Sequence, residues 1–355
     1  MEDIENLRER VHQINLQILE LLAERGTLVQ EIGEIKARLG LDFSDAYREA
    51  EMLAGLTETN PGPYPEHAIR AIFGEIFRAS LQLQETGAQR RLLACRSAGQ
   101  SPTVIEAKNV HIGGDCPVVI AGPCAIESLE QLTQIAEVLD GLGVSILRGG
   151  AFKPRTSPHS FQGLGEQGLR YLKQVAEEFG MVTLTEVMDT GEIDLVSAYA
   201  DIIQIGARSM HNSSLLAAAG AIDKPIVLKR GFMATIEELL YAAEYVMSGG
   251  NKRIILCERG IRTFERWTRN TLDLSAVAIL KRESHLPVIV DVSHSAGRKD
   301  IVIPLAKAAL GAGADGIMVE VHNNPPLALS DAEQQLDFQE FRNLLQSLTP
   351  FLKEL

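Results

Sequence analysis

The stretch Val118-Val-Ile-Ala-Gly-Pro-Cys124 joins a short β-branched run to a cysteine, and similar stretches recur along the chain. The other runs are also short and β-branched, and nearly all of them precede a charged or metal-binding side chain. They are Val144–Leu147, Val182–Leu184, Ile202–Ile205, Ile226–Leu228, Ile254–Leu256, Val288–Val290 and Ile317–Val319. Eight runs separated by segments with helical patterning predict an α/β fold, a (β/α)8 TIM barrel. In such barrels the chemistry takes place at the carboxyl ends of the strands.

The composition indicates a folded, acidic protein. The chain has 355 residues, of which 45% are hydrophobic and 23% charged, with a net charge of −13. The length fits a barrel of about 250 residues plus a smaller domain. The negative charge argues against nonspecific binding to nucleic acid or to anionic membranes. The chain has no long apolar run, its acidic start is unlike a signal peptide, and its four cysteines form no CxxC pair, so we expect a cytoplasmic protein without nucleic-acid or membrane partners.

Residues 1–88 are predicted to form an all-α domain of three helices. Apolar residues recur at three- and four-residue steps over 3–39, and further helices are predicted over 44–57, with Ser44 as N-cap, and over 65–88. The first helix would be about 55 Å long, which is too long for so small a domain to bury, so we expect it to pack against a copy in another subunit. Residues 89–104 are predicted to be a linker. Residues 105–355 would form the barrel, which closes with an amphipathic helix around 336–354.

Four possible metal ligands, Cys124, His294, Glu320 and Asp331, lie at or after predicted strand ends. One soft, one borderline and two hard donors suit manganese, iron, cobalt or zinc better than magnesium. Two of them also have ordinary explanations, because Cys124 could be a small buried apolar residue and His294 a hydrogen-bonded histidine. Glu320 is harder to explain in that way, since an unpaired buried carboxylate is costly.

Six cations also follow the predicted strands: Arg148, Lys153, Arg155, Arg208, Lys229 and Arg259. Side chains at strand ends converge on the mouth of a barrel, where six cations would repel one another unless anions neutralised them. A phosphate and a carboxylate are suitable counter-ions, and the planar fork of arginine fits both. The sequence therefore predicts an enzyme for phosphorylated, anionic substrates.

Ordered motifs within about 110–355 resemble 3-deoxy-D-arabino-heptulosonate 7-phosphate (DAHP) synthase of type I beta. The motifs are Ala121-Gly-Pro-Cys-Ala-Ile-Glu-Ser, Leu147-Arg-Gly-Gly-Ala-Phe-Lys-Pro-Arg-Thr-Ser-Pro, Gln204-Ile-Gly-Ala-Arg, Leu228-Lys-Arg-Gly, Leu256-Cys-Glu-Arg-Gly-Ile-Arg-Thr-Phe, Asp291-Val-Ser-His and Ala328-Leu-Ser-Asp. The resemblance implies condensation of phosphoenolpyruvate with erythrose 4-phosphate, the first step of the shikimate pathway of aromatic amino-acid biosynthesis.

The resemblance also implies roles for individual residues. Cys124, His294, Glu320 and Asp331 would hold one divalent metal, with manganese as the first candidate and cobalt, iron or zinc as alternatives. The substrate-binding residues would be Arg148, Lys153, Pro154, Arg155, Thr156, Ser157, Glu186, Ala207, Arg208, Lys229 and Arg259. Within that set, Arg148, Lys153 and Lys229 match the phosphoenolpyruvate carboxylate site, and Arg208 and Arg259 match its phosphate site. Lys153 to Ser157 match the erythrose 4-phosphate contact, and Lys153 is our candidate for proton transfer.

The helical domain has a polar set of its own: Arg8, Arg25, Lys36, Asp45, Arg48, Glu49, Ser80 and Gln84. Arg25 and Lys36 share a helix face about 16 Å apart along the axis and could bracket one small dianion. Arg8 lies about 25 Å from Arg25 and is expected to serve the site of a partner subunit. Spacing alone also allows these residues to be surface charges on a dimer of helices.

Motifs within about 3–86 resemble the all-helical class of chorismate mutase: Leu7-Arg-Glu-Arg, Leu22-Ala-Glu-Arg, Ile32-Gly-Glu-Ile-Lys, Asp45-Ala-Tyr-Arg-Glu and Ser80-Leu-Gln-Leu-Gln. The resemblance implies rearrangement of chorismate to prephenate without a cofactor. The arginines Arg8, Arg25 and Arg48 would hold carboxylates. The ether oxygen would face Lys36 and Gln84. Asp45 and Glu49 would position the ring hydroxyl or Arg48.

Together the motifs predict a bifunctional homodimer or homotetramer whose barrel is inhibited by prephenate or chorismate bound to the helical domain. Three alternatives stay open. The helical part could be a non-catalytic sensor and dimerisation module. The barrel could be the related synthase that uses arabinose 5-phosphate, or a Schiff-base aldolase acting through Lys229.

Overall fold

The structure is a computed structural model that describes residues 2–39, 41–89, 92–153 and 159–352. It divides into two compact units, Met1–Leu92 and Leu93–Leu355. Among the described residues, no helix combines the length and the apolar character needed to cross a membrane.

The first unit consists of three helices, α1 Glu2–Leu39, α2 Ala46–Glu58 and α3 Glu66–Gln89. The N-cap predicted for α2 is wrong by one residue, because the side chain of Asp45, and not that of Ser44, accepts a hydrogen bond from the backbone nitrogen of Arg48. Helix α1 packs along α3. Much of its apolar surface remains exposed, including Leu7, which is 58% exposed. Packing of α1 against a second copy stays a prediction.

The second unit contains the predicted barrel. Its parallel strands are β3 Val118–Gly122, β4 Ile146–Arg148, β5 Val182–Val187, β6 Ile202–Ile205, β7 Ile226–Lys229, β8 Ile254–Glu258, β9 Val288–Asp291 and β10 Gly316–Glu320. They are hydrogen-bonded in chain order, and β10 pairs with β3 to close the ring. Each strand overlaps one of the eight β-branched runs, so the predicted fold is confirmed.

Helices follow the strands and cover the outside of the ring. They are α4 Leu129–Asp140, α5 Glu166–Glu178, α6 Ile193–Tyr199, α7 Ser213–Gly220, α8 Ile236–Ser248, α9 Leu274–Glu283, α10 Val292–Ala296, α11 Val302–Gly311 and α12 Phe338–Leu348. Their ends have local causes: Ser128 caps α4, and Thr235 and Glu238 form a reciprocal capping box on α8. Helix α12 is shorter than the predicted 336–354, since it ends at Leu348.

A β-hairpin that was not predicted from the sequence precedes the barrel. Its strands are β1 Ile105–Ala107 and β2 Val110–Ile112, paired so that Ile105 lies opposite Ile112. Both isoleucines are buried and pack in one hydrophobic cluster with the first residues of several barrel strands. The hairpin thus fills the end of the barrel opposite the strand carboxyl ends.

Part of the predicted linker is attached to the barrel unit. The ring of His285 bonds to the hydroxyl of Thr103 at 2.6 Å and to the carbonyl of Leu93 at 2.7 Å. Ser284 donates to the carbonyl of Ala94 at 2.5 Å. Residues 93–103 are therefore held at both ends by one short segment after α9.

Candidate active sites

The four predicted metal ligands meet at the carboxyl ends of β3, β9 and β10. One donor atom from each of Cys124, His294, Glu320 and Asp331 lies within 4.8 Å of the other three. The Sγ of Cys124 lies 3.3 Å from Asp331, and the Nε2 of His294 lies 3.5 Å from Glu320. Cys124 and Glu320 are fully buried, which excludes a role as solvated surface groups. The donor set fits a first-row transition metal ion.

Asp291, at the end of β9, orients the histidine of this cluster. Its carboxylate bonds to the Nδ1 of His294 at 2.8 Å and accepts from the backbone nitrogen of His294 at 2.9 Å. This contact directs Nε2 towards the other three ligands, as a carboxylate commonly does at metal sites. Asp291 also forms a buried ion pair with Lys229. Burial alone would raise the pKa of Asp291, but His294 and Lys229 hold it well below its ordinary value.

The loop that follows the 3-10 turn Pro325–Leu327 supplies polar contacts that were not predicted. Gln334 donates to Glu320 at 2.5 Å, Ser330 bonds to the Sγ of Cys124 at 3.2 Å, and Gln335 accepts from the backbone nitrogen of Cys124 at 3.0 Å. Asp331 adopts a left-handed backbone, with φ of 49°. The loop therefore holds the possible metal ligands Cys124 and Glu320 in place at the carboxyl ends of the strands.

Two cations lie directly beside the ligands. Arg148 donates to Glu320 at 2.7 Å, and both side chains are almost completely buried. The Nζ of Lys153 donates to the carbonyl of Cys124 at 3.0 Å and lies 3.1 Å from its Sγ. Burial opposes ionisation of Glu320, but the charges of His294, Arg148 and Lys153 lower its pKa to about 2. Burial and the charge of Glu320 raise the pKa of the Cys124 thiol to about 12, so a metal ion would have to displace its proton.

A cavity beside the cluster gathers most of the predicted substrate-binding residues. Its lining includes Lys153, Glu186, Ala207, Arg208, Lys229 and Arg259, together with Phe232, Arg269, His294 and Asp331. Arg148 lies deeper, paired with Glu320. Pro154, Arg155, Thr156 and Ser157 lie outside the described residues. A cation-rich cavity that opens onto possible metal ligands can bind and polarise an anionic substrate.

The helical unit contains a second cavity, which seven of its eight predicted residues line: Arg25, Lys36, Asp45, Arg48, Glu49, Ser80 and Gln84. The eighth, Arg8, is exposed on α1 and does not line this cavity. Apolar side chains such as Val29 and Phe77 complete the wall. Cations and apolar groups in one cavity suit a small carboxylate-bearing ring.

Neighbouring residues hold the cationic side chains of this second cavity in position. The guanidinium of Arg25 donates to the hydroxyl of Ser80 and lies 5.4 Å from the ring centre of Phe77. Lys36 donates to the carbonyl of Phe43 at 2.8 Å. The side-chain oxygen of Gln84 is buried without a hydrogen-bond partner among the described residues. A buried polar atom of this kind requires a partner, which a ligand in the cavity can supply.

Comparison with known proteins assigns both units. Residues 100–354 match the model of the DAHP synthetase I family, and residues 7–85 match that of chorismate mutase type II. The chain is 56% identical over 256 residues to a phospho-2-dehydro-3-deoxyheptonate aldolase of Thermotoga maritima, covering 72% of this chain and 76% of the relative. It is 34% identical over 264 residues to a 2-dehydro-3-deoxyphosphooctonate aldolase of Koribacter versatilis, covering 68% and 94%.

Solved structures give the same family as the barrel assignment, DAHP synthase. A crystal structure of the DAHP synthase of Thermotoga maritima superposes with a TM-score of 0.71 at 55% identity, covering 73% of this chain and 76% of that one. A truncated form of a Thermotoga maritima DAHP synthase superposes with a TM-score of 0.68 at 52% identity, covering 73% and 95%. Both resemblances drawn from the motifs are confirmed, and they indicate a bifunctional enzyme. The chain belongs to the DAHP synthetase I family and carries a chorismate mutase type II domain ahead of its barrel.

Proposed function

We propose that the barrel condenses phosphoenolpyruvate with erythrose 4-phosphate to DAHP and phosphate, and that the helical domain, within residues 1–88, converts chorismate to prephenate. The observation that carries the barrel assignment is a four-donor cluster of which His294 and Asp331 line one cavity with Lys153, Arg208 and Arg259. A metal ion held by Cys124, His294, Glu320 and Asp331 would supply Lewis acidity at the carbonyl of the aldehyde. The mixed soft and hard donors support manganese, cobalt, iron or zinc over magnesium, and the family resemblance makes manganese the first candidate.

Different cations of the barrel would bind the carboxylate and the phosphate of phosphoenolpyruvate. Arg148, Lys153 and Lys229 would hold its carboxylate, and Glu320 and Asp291 keep Arg148 and Lys229 in place. Arg208 and Arg259 would hold its phosphate. The segment 154–157 would contact erythrose 4-phosphate. Binding both substrates in one orientation converts their encounter into a step within a single complex.

Lys153 is the candidate for proton transfer. The enol carbon bonds to the aldehyde carbon, water adds to the substrate carbon that carries the phosphate ester, and phosphate leaves. The alkoxide that forms from the aldehyde needs a proton, and the Lys153 ammonium lines the cavity beside Cys124. We expect Lys153→Met to lose almost all turnover, with Lys173→Met, a change on α5, as the control. Near wild-type turnover of Lys153→Met would exclude this role.

In the helical domain, Arg25 and Arg48, with Arg8 of a partner subunit, would hold the two carboxylates of chorismate. Lys36 and Gln84 would donate to the ether oxygen as charge develops there, and Glu49 and Asp45 would position the ring hydroxyl or Arg48. The side-chain oxygen of Gln84, which has no hydrogen-bond partner within the described part of the chain, supports this assignment, because the amide can rotate to present its N–H groups instead. Chorismate turnover by purified protein separates an enzyme from a sensor that only binds it.

The proposal includes feedback inhibition of the barrel and assembly of the chain into an oligomer. Prephenate or chorismate bound to the helical domain would inhibit the barrel, in a homodimer or homotetramer built on α1. The exposed apolar residues of α1 support the assembly, and the four cysteines, none of which forms a disulfide within the described part of the chain, support a cytoplasmic location. The test compares synthase rates of the intact chain and a 1–103 deletion, with and without prephenate. Equal rates in all four assays would exclude the regulatory role.

Two other barrel functions have specific tests. Relatives named 2-dehydro-3-deoxyphosphooctonate aldolase make arabinose 5-phosphate the second candidate sugar. An assay in which the two sugars compete for the enzyme shows which one is the preferred substrate. A Schiff-base aldolase would need a free amine on Lys229, but this ammonium is buried in an ion pair with Asp291. Borohydride trapping with substrate would support the Schiff base. Loss of activity to a chelator would support the metal.

A further inference from the structure

Phe232, in the loop after β7, lies among three guanidinium groups. Its ring centre is 4.7 Å from the Cζ of Arg259, 4.8 Å from that of Arg262 and 5.6 Å from that of Arg208. The ring lines the cation-rich cavity together with Arg208 and Arg259. No predicted role covered Phe232 or Arg262.

Arg259 has weak partners for a buried cation. It is 3% exposed, and its guanidinium donates to the carbonyls of Gly260 and His294, each at the long distance of 3.3 Å. Burial lowers its pKa. The nearby Arg230 differs, because Glu258 and Asp273 each accept from it at 2.9 Å. Arg230 is thus neutralised within the fold, whereas Arg259 is placed to receive an anion from outside.

The backbone fixes the ring between two strand ends. The amide nitrogen of Arg262 donates to the carbonyl of Phe232 at 2.7 Å, and that of Arg230 donates to the carbonyl of Cys257 at 2.9 Å. These bonds join the loop after β7 to strand β8 and to the loop that follows β8. The face of an aromatic ring attracts guanidinium groups, so a fixed ring defines where the arginines rest before any anion arrives.

We propose that Phe232 is a positioning residue, whose ring holds Arg208 and Arg259 together as the receptor for the phosphate group of the enol phosphate substrate. This inference rests on the function proposed for the barrel. Without the ring, two like charges at one cavity would separate, and the incoming phosphate would have to bring them together again. The cost would fall on binding of phosphate and not on the bond-forming step.

The test uses the full-length, manganese-loaded enzyme and four variants. Phe232→Leu and Phe232→Met remove the ring and keep an apolar side chain, whereas Phe232→Tyr keeps the ring. Phe264→Leu, at a ring that is 96% exposed on the loop after β8, is the matched control. The measurements are kcat, the KM of each substrate, and the Kd of inorganic phosphate by calorimetry.

We expect Leu and Met at position 232 to raise the KM for phosphoenolpyruvate and the Kd for phosphate about tenfold. Values of kcat and of the KM for erythrose 4-phosphate should stay within about twofold, as should every constant of Phe232→Tyr and Phe264→Leu. Unchanged phosphate binding in the Leu and Met variants would overturn the inference, as would equal weakening in Phe232→Tyr. If one ring-less variant fails to fold, the other carries the test. A wild-type enzyme that binds phosphate but forms no DAHP would instead overturn the proposed function.

Discussion

Asp291→Asn should destabilise the barrel strongly, because the Asp291 carboxylate is fully buried between two partners. Lys229, whose side chain is 5% exposed, would lose its counter-ion, and His294, which now bonds to both carboxylate oxygens, would face an amide with a single acceptor oxygen. Removing one member of a buried ion pair costs about 3–5 kcal/mol, because the remaining charge stays buried. For a domain of this size, that free energy corresponds to a fall in melting temperature of about 6–20 °C.

Thermal unfolding followed by far-ultraviolet circular dichroism checks this value, with chelator present so that metal binding makes no contribution. Asp223→Asn is the matched control: it also breaks an ion pair, with Arg253, but Asp223 is completely exposed. The control should have the same melting temperature as the wild type, since exposed ion pairs contribute little to stability. Equal melting temperatures for all three proteins would refute the argument that burial makes the Asp291 pair essential. A second readout is metal affinity, which should fall about 10–100-fold in Asp291→Asn.

Three further outcomes follow from contacts in the two sites. Gly206→Ala should lower synthase kcat/KM about 100-fold, because a Cβ there would lie 2.1 Å from the Oε1 of Glu186 and would displace this carboxylate, which lines the barrel cavity. The control is Gly311→Ala, which has open space around it and should leave the rate unchanged. Arg25→Ala should lower mutase kcat/KM about 100-fold or more in a chorismate assay while the synthase rate persists. A chain beginning at residue 93 should melt higher than one beginning at residue 105, because 93–103 bonds to the barrel; equal melting would show that these bonds add nothing.

The barrel could be predicted because its strands are buried on both faces, which leaves continuous β-branched runs in the sequence. The chemistry of the site could be predicted because charged residues follow those runs. The hairpin β1–β2 was missed although its alternating residues flank a two-residue Lys108-Asn109 turn. Its strands have only three residues each, too few for their alternation to identify them as strands.

Partners that act through another side chain were harder to predict. Gln334 and Gln335 lie on a loop, and nothing in an amide's sequence context shows that it bonds to Glu320 or Cys124. Phe232 resembles any apolar loop residue until the fold brings arginines from two other strand ends beside it. Such contacts join distant parts of the chain, so local patterns do not encode them.

The most direct test of the account is the initial rate of phosphoenolpyruvate consumption with erythrose 4-phosphate and manganese, measured with and without chelator. We predict rapid consumption that yields DAHP and phosphate, stops when the metal is removed, and is slower when arabinose 5-phosphate replaces erythrose 4-phosphate. Absence of consumption with erythrose 4-phosphate, or a rate unaffected by the chelator, would contradict it.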